Sequence, residues 1–151
     1  MKTACIASLV GLFALSTLPA AAQMTASPVR TATTAVNRVV LFKLLPGQGP
    51  AYNQDVLEHL MPVYEAEKQA GILTGYQFFS KTTTDTPDDW NVGVVLTYPN
   101  FAGLDNLTTR TDPITLKHYG SAEKRTAAGA ARGQIRTVVS SFLTQTLSYT
   151  R

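Results

Sequence analysis

Apolar and β-branched residues are concentrated in four stretches of the chain, and each stretch predicts a β-strand. The four strands are expected over residues 37–44, 72–80, 91–98 and 135–149. Both alternating faces of the first stretch are mostly apolar, which is typical of a strand that is covered on both sides. The polar, turn-rich residues 81–90 connect the second and third strands into a long-looped antiparallel hairpin.

A long amphipathic helix is predicted between the first two strands, over residues 50–70. Its apolar face is formed by side chains that recur at helical spacing, namely Tyr52, Val56, Leu60, Val63 and Tyr64. Gly71 is placed to end the helix. Pro62 removes one backbone hydrogen bond inside it, so we expect a kink that wraps the helix around a curved sheet.

Two shorter helices are predicted after the third strand, over residues 100–107 and 121–132, while residues 108–120 fit either a turn or a short helix. The resulting order is β-α-β-β-α-β, the ferredoxin-like pattern of α+β proteins. In this pattern the helices cover one face of a four-stranded antiparallel sheet. Because the strands are apolar on both faces, the bare face predicts a second copy of the sheet, packed across a two-fold axis.

This pattern resembles the dimeric α/β-barrel superfamily, which includes antibiotic-biosynthesis monooxygenases, haem-degrading monooxygenases, muconolactone isomerases, stress-responsive barrel proteins and the NIPSNAP-like group. The resemblance is carried by VVLFKLLPGQGPAY, ILTGYQFFS and WNVGVVLTY and by the spacing between them. It implies a domain over residues 37–151 that forms a dimeric α/β barrel, with a ligand or substrate between helices and sheet and often no cofactor. The Asn, Trp and His set of the haem-degrading members does not transfer, because Asn100 rather than a histidine stands ten residues after Trp90.

The amino-terminal residues predict an export signal. Lys2 precedes an apolar run over residues 4–15, and Ala20-Ala21-Ala22 offers the small residues that a signal peptidase requires. We therefore expect a signal peptide over residues 1–22, a flexible leader over 23–36 and a protein located in the periplasm or outside the cell. A retained membrane anchor is disfavoured because the apolar run is short. Cleavage removes Cys5, the only cysteine, so we expect no disulfide and no thiolate metal site.

The distribution of charge argues against a nucleic-acid-binding protein. The 13 basic and 10 acidic residues give a net charge of +3, and no basic run is longer than Lys124-Arg125. A nucleophile elbow, a P-loop, a dinucleotide fingerprint and a paired-histidine metal motif are absent from the sequence. We therefore expect no cofactor, no metal, no nucleic acid partner and no membrane association after signal cleavage.

The two histidines are the candidates for acid–base chemistry. His59 follows Asp55 by about one helical turn, and a carboxylate at that spacing can orient an imidazole; the alternative is a half-exposed surface histidine. His118 stands beside Tyr119, and such a pair can bind or polarise a phenol or carbonyl oxygen. The alternative for His118 is a histidine at an element boundary without a role.

Glu67 and several aromatic residues are the candidates for ligand binding. Glu67 projects near the apolar arc of the long helix, where a carboxylate has a raised pKa or needs a cation such as Lys43; the alternative is a position at the rim. The aromatic residues that can line a pocket, with core or dimer interface as the alternative, are Tyr52, Tyr64, Tyr76, Phe78, Phe79 and Trp90. The arginines expected to be solvated rather than anion-binding are Arg110, Arg125, Arg132 and Arg136.

Two functions fit these features. The first is an exported homodimer whose helix–sheet cavity binds a small, largely apolar or aromatic molecule. A monooxygenase- or isomerase-like step there would use His59 or His118 as base and Tyr76 or Tyr119 as hydrogen-bond donor. The second is a non-catalytic exported homodimer. A cavity of several hundred Å³ with a histidine or tyrosine facing it favours the first, and a space filled by Phe and Leu favours the second.

Overall fold

The structure is a computed structural model that describes residues 29–83, 86 and 89–150. The predicted signal peptide, residues 1–22, lies outside the described residues, as do residues 23–28 of the predicted leader. The strands are β1 (Val29–Ala32), β2 (Val36–Leu44), β3 (Gly75–Ser80), β4 (Val92–Tyr98), β5 (Arg136–Thr144) and β6 (Leu147–Thr150). The helices are α1 (Gly49–Asp55), α2 (Met61–Gln69), α3 (Leu107–Tyr119) and α4 (Ala122–Gly133).

Strands β2 to β5 form a four-stranded antiparallel sheet in the order β3-β4-β2-β5. With one helical segment between β2 and β3 and another between β4 and β5, this order is that of the ferredoxin-like fold. The predicted α+β class and ferredoxin-like architecture are therefore confirmed. Phe78 of β3 stacks against Tyr64 of α2 at a ring-centroid distance of 6.0 Å, which places the helices on that face of the sheet.

The core lies between this sheet face and α2. It is formed by buried side chains from β2, β4 and the turn before β3, namely Phe42, Ile72, Leu73, Val94, Leu96 and Tyr98. Gly71, with a φ of +69°, ends the helical segment at the predicted position, and Ile72 N–H donates to the carbonyl of Glu67 at 2.9 Å. This turn directs Ile72 and Leu73 into the core just before β3 begins.

The long predicted helix contains one irregular turn. A π-helical turn, Val56–Leu60, separates α1 from α2, and Met61 N–H donates to the carbonyl of Val56, five residues earlier. Pro62 lies two residues after Leu60 and has no N–H to offer to the carbonyl of Glu58, so its missing donor falls next to the turn in which the hydrogen bonding is already irregular. The irregularity predicted from Pro62 therefore takes the form of a π-helical turn. Across the described part of the chain, helices as long and apolar as a bilayer requires are not found.

The structure differs from the sequence prediction at both ends of the domain. Val29–Ala32, in the stretch expected to be a flexible leader, form β1 and pair antiparallel with β6, from Val29 opposite Thr150 to Ala32 opposite Leu147. The single last strand expected over residues 135–149 is correspondingly divided into β5 and β6. Pairing supplies the backbone hydrogen bonds that make a strand of this threonine-rich segment, and its partner lies more than a hundred residues away in sequence.

Two predictions between β4 and β5 are also revised. The helix expected over residues 100–107 is a 3₁₀ turn, Phe101–Leu104, which begins at Asn100; the Asn100 Oδ1 accepts from the Gly103 N–H at 3.0 Å. The ambiguous residues 108–120 belong to α3, which contains Pro113 and ends at Gly120 with a φ of +79°. The last turn of α3 carries His118 and Tyr119.

Candidate functional site

The two histidines lie in contact. His59 is in the π-helical turn and His118 is in the last turn of α3, and His59 Nδ1 lies 3.1 Å from His118 Nε2. The two rings are nearly perpendicular, at 84°. A hydrogen bond of this kind joins one N–H donor to one nitrogen lone pair, so at least one of the two imidazoles is neutral while the contact is made. The pair can therefore hold and transfer a single proton.

Tyr119 packs against both imidazoles. Its ring centroid lies 5.3 Å from that of His59 and 4.8 Å from that of His118. The predicted candidates His59, His118 and Tyr119 are thus brought together in one cluster. Its members come from two helical segments that are about 60 residues apart in the chain, so tertiary packing alone creates the cluster.

An arginine from α4 connects this cluster to a buried carboxylate. Arg132 Nε donates to both carboxylate oxygens of Asp55 at 2.9 Å, and Arg132 Nη2 donates to the Tyr119 hydroxyl. Asp55 therefore binds Arg132 and does not orient His59 as the i to i+4 spacing suggested. The Arg132 side chain is only 20% exposed, so its predicted solvated position is wrong. The ion pair between Asp55 and Arg132 was not predicted, because no local sequence pattern links residues 77 positions apart.

A second arginine, Arg136, lies close to the Asp55–Arg132 ion pair. Arg136 Nη2 is 4.0 Å from Asp55 Oδ2, and the Arg136 side chain is 10% exposed, so it is also not solvated as predicted. Its guanidinium lies 4.1 Å from the centre of the Phe42 ring, a cation–π contact that ties it to the core. One carboxylate, that of Asp55, thus faces two guanidinium groups.

The surroundings of His118 favour its neutral form. Burial lowers the pKa of His118, and the neighbouring His59 and the positive charge of Arg132 lower it further. At neutral pH His118 therefore carries a nitrogen lone pair, the form in which an imidazole accepts a proton.

The histidine pair separates two surface cavities. A groove of about 670 Å³ between α2 and α3 is lined by His118 together with Lys117, Gln69 and the apolar residues Pro62, Val63, Ala66, Ala70 and Ile114. A cleft of about 240 Å³ between the π-helical turn and α4 is lined by His59, Asp55, Arg132 and neighbouring side chains. The two imidazoles that touch each other thus each line a different cavity.

The predicted ligand-binding residues lie elsewhere. Tyr64 contacts Tyr76 at 5.6 Å and Phe78 at 6.0 Å in the helix–sheet layer, and burial raises the pKa of Tyr64 to about 12. Glu67 is buried in the same layer, and this burial raises its pKa to about 7. Much of the space predicted to be a helix–sheet cavity is therefore filled by the core, and a cavity of about 290 Å³ remains at the edge near Tyr52.

Trp90 belongs to the opposite side of the sheet. It packs edge-to-face on Phe79 at 5.5 Å, and Phe79 alternates with Phe78 along β3, so it points away from α2. Lys81 lies 5.4 Å from the Trp90 ring. Neither Trp90 nor Phe79 lines the groove between α2 and α3. Among the residues that the structure describes, no three His, Cys, Asp or Glu side chains are grouped so as to hold a metal ion.

No protein-family model matches the chain, and no curated protein is similar to it in sequence. Among solved structures, HapK from Hahella chejuensis is similar at 10% identity and a TM-score of 0.48, over 74% of this chain and 91% of that one. A dimeric protein of unknown function and ferredoxin-like fold from Bacteroides fragilis is similar at 15% identity and a TM-score of 0.36, over 78% and 98%. A dimeric ferredoxin-like protein of unknown function from Thermobifida fusca is similar at 15% identity and a TM-score of 0.42, over 76% and 91%.

These likenesses concern the fold alone. The ferredoxin-like architecture of this chain is established by its own strand order, β3-β4-β2-β5.

Proposed function

We propose that this protein binds a small organic molecule in the groove between α2 and α3, beside the His59–His118 pair. The observation that carries the proposal is the 3.1 Å contact between two imidazoles at the wall of a groove of about 670 Å³. A volume of this order is typical of small-molecule sites. The groove replaces the helix–sheet cavity as the proposed site, because core side chains fill much of that layer.

The chemistry best suited to this pair is proton transfer. Neutral His118 accepts a proton from an acidic C–H or O–H of the ligand, and its contact with His59 lets the two rings share that proton. Return of the proton to another atom of the ligand completes an isomerase-like step that needs no oxidant. A monooxygenase-like reaction would begin with the same proton abstraction and would additionally need dioxygen. The Tyr119 ring packs against both imidazoles, and its hydroxyl accepts a hydrogen bond from Arg132.

The presence of only two histidines makes a direct test possible. We propose labelling the histidine rings with ¹⁵N and recording their NMR signals with and without candidate ligands, with His59→Gln and His118→Gln used for assignment. Ligand binding in the groove should shift the His118 signals first and the His59 signals through their shared hydrogen bond. If a ligand identified by native mass spectrometry binds but leaves both imidazoles unchanged, the groove is not its site.

Catalysis and binding are separated by the same variants. If the pair is catalytic, His118→Gln should lower turnover by about a hundredfold or more, the usual contribution of a general base, while leaving ligand affinity within a few fold. Lys124→Gln, an exposed change on α4, serves as the control. Equal turnover in His118→Gln and the control would contradict the catalytic assignment but would leave the proposed ligand binding intact.

We also propose that the protein acts as a homodimer and completes a dimeric α/β barrel. Large apolar side chains of β5, one of the two edge strands of the sheet, are exposed in the single chain: Val138, Val139, Phe142 and Leu143. Exposed apolar surface of this kind favours a protein partner, and two similar structures are of dimeric proteins. Sedimentation equilibrium tests this: the natural chain should have twice the monomer mass, and Phe142→Glu should weaken association.

Export is proposed from the amino-terminal sequence. The protein would be located in the periplasm or outside the cell, with a mature chain beginning at Gln23. Mass spectrometry of protein from the native compartment should give that amino terminus. A chain recovered from the cytosol with residues 1–22 attached would contradict the proposal.

The second candidate function is a non-catalytic exported homodimer. The filled core between helices and sheet favours it, because that layer stabilises the fold without offering an enclosed site. A dimer that co-purifies with no small molecule, and whose imidazole signals respond to none of a broad set of ligands, would support it.

A further inference from the structure

The groove between α2 and α3 is apolar along its length and positively charged at one end. Apolar side chains from both helices form most of its wall, including Val63, Ala66 and Ile114. Its polar lining consists of Gln69, Lys117 and His118. Among the described residues that line the groove, Lys117 is the side chain with a full charge at neutral pH, and no carboxylate stands among them.

We infer that the ligand of this groove is an amphipathic organic anion, with an apolar body along α2 and α3 and a carboxylate, enolate or phenolate directed to Lys117 beside His118. The inference rests on the proposed small-molecule site and names its ligand class. The ammonium group of a lysine is a compact charge with three donors, which suits a single anionic oxygen. A cationic ligand would face Lys117 without any opposing carboxylate in the lining.

The position of the charge also bears on the proposed chemistry. Lys117 and His118 are consecutive in the last turn of α3, and both line the groove. An anionic group bound at Lys117 therefore brings the adjacent atoms of the ligand next to the imidazole. Lys117 would act as a specificity residue, selecting acids over neutral molecules of the same shape.

The test uses three probes that share an apolar body and differ in charge: 2-naphthoate, 2-naphthamide and 2-naphthylmethylammonium. Each is titrated into the full-length protein at low salt, and the amide signals of Ala66, Ala70 and Ile114 report binding in the groove. Naphthoate should bind about fivefold more tightly than naphthamide, the scale expected for a solvent-exposed ion pair, and the ammonium probe should bind most weakly. High salt should reduce this preference, because it screens exposed charges.

Lys117→Met should lower naphthoate affinity to that of naphthamide and leave naphthamide affinity unchanged. Lys124→Met on α4 removes the same charge away from the groove and should keep the preference. Equal binding of the three probes, preference for the ammonium probe, or an unchanged preference in Lys117→Met would overturn the anion inference and leave the groove as a binding site. Absence of groove shifts with all three probes would contradict the proposed function as well.

Discussion

The buried ion pair of Asp55 offers the sharpest test of how the site is held together. Asp55→Asn keeps the shape of the side chain and removes its charge. Arg132 then loses a carboxylate that accepts two hydrogen bonds at 2.9 Å, and Arg136 loses the same carboxylate at 4.0 Å. Two guanidinium groups are left close together without a counter-charge. Tyr119 also loses the support that it receives through Arg132.

The expected size of this effect follows from burial. The Asp55 side chain is 10% exposed and that of Arg132 is 20% exposed, so water compensates little for the lost partner. Breaking a buried ion pair by removing one partner costs about 3–5 kcal/mol, and the residual exposure places our expectation near the lower value, about 3 kcal/mol. For a domain of this size, that loss lowers the Tm by about 10 °C.

Urea unfolding followed by the fluorescence of Trp90, the single tryptophan, measures the change. Protein concentration must be held constant, because dimerisation would contribute to stability. Asp112→Asn is the matched control: Asp112 accepts from Arg125 Nη1 at 2.8 Å, but these side chains are 44% and 34% exposed, so we expect a loss below about 1 kcal/mol. If the two variants lose equal stability, burial is not what makes the Asp55 pair important, and the reasoning fails.

Three further predictions concern pH and packing. The folded protein lowers the pKa of His118 below its ordinary 6.5, so near this pH the unfolded chain binds more protons at His118 than the folded protein does, and the free energy of unfolding should fall as the pH is lowered. His118→Gln should make the urea midpoint less dependent on pH in this range. Glu67 has a pKa raised from 4.5 to about 7, so its contribution to stability falls as pH rises between these values. In thermal unfolding, Glu67→Gln should therefore be more stable than the natural chain at pH 8 but not at pH 4. If the difference in Tm between the two proteins were the same at both pH values, the carboxyl of Glu67 would not be titrating in a buried position. A Cβ on Gly93 would lie 2.8 and 2.9 Å from Phe79 ring atoms, so Gly93→Ala should lower the free energy of unfolding by about 1–3 kcal/mol. Phe79→Leu places a smaller side chain there and should recover part of this loss. If Gly93→Ala cost the same with Phe79 and with leucine at position 79, this overlap would not be the cause.

The site was only partly predictable from the sequence. His59, His118 and Tyr119 stand out individually because histidines are few and Tyr119 adjoins one of them. Their contact was not predictable, because it depends on the packing of α3 beside the π-helical turn that carries His59. The spacing of Asp55 and His59 suggested a local hydrogen bond, but Arg132 from α4 competes for the carboxylate with a full charge and two contacts. An ion pair between residues 77 positions apart leaves no periodic pattern in the sequence, so the partner of Asp55 could not be predicted from local spacing.

The elements of the fold were mostly determined by local sequence. Stretches dense in apolar and β-branched residues predicted the strands of the main sheet, Gly71 marked the end of the long helix, and the order of these elements led to the ferredoxin-like topology. These features depend on backbone preferences and on the local pattern of apolar residues, which act over a few residues. The pairing of β1 with β6 was not predicted, because it joins segments more than a hundred residues apart.

The sequence by itself determines which residues are available: the two histidines, Pro62 and the charged residues of α1 and α4. Tertiary structure decided what they do together. The π-helical turn before Pro62 carries His59, α3 brings His118 to 3.1 Å from it, and α4 supplies the arginine that holds Asp55 and Tyr119. The physical reason is that hydrogen bonds and ion pairs act over a few ångströms in space, whatever the distance along the chain. Local sequence thus determined most of the secondary structure, and helix packing determined the site.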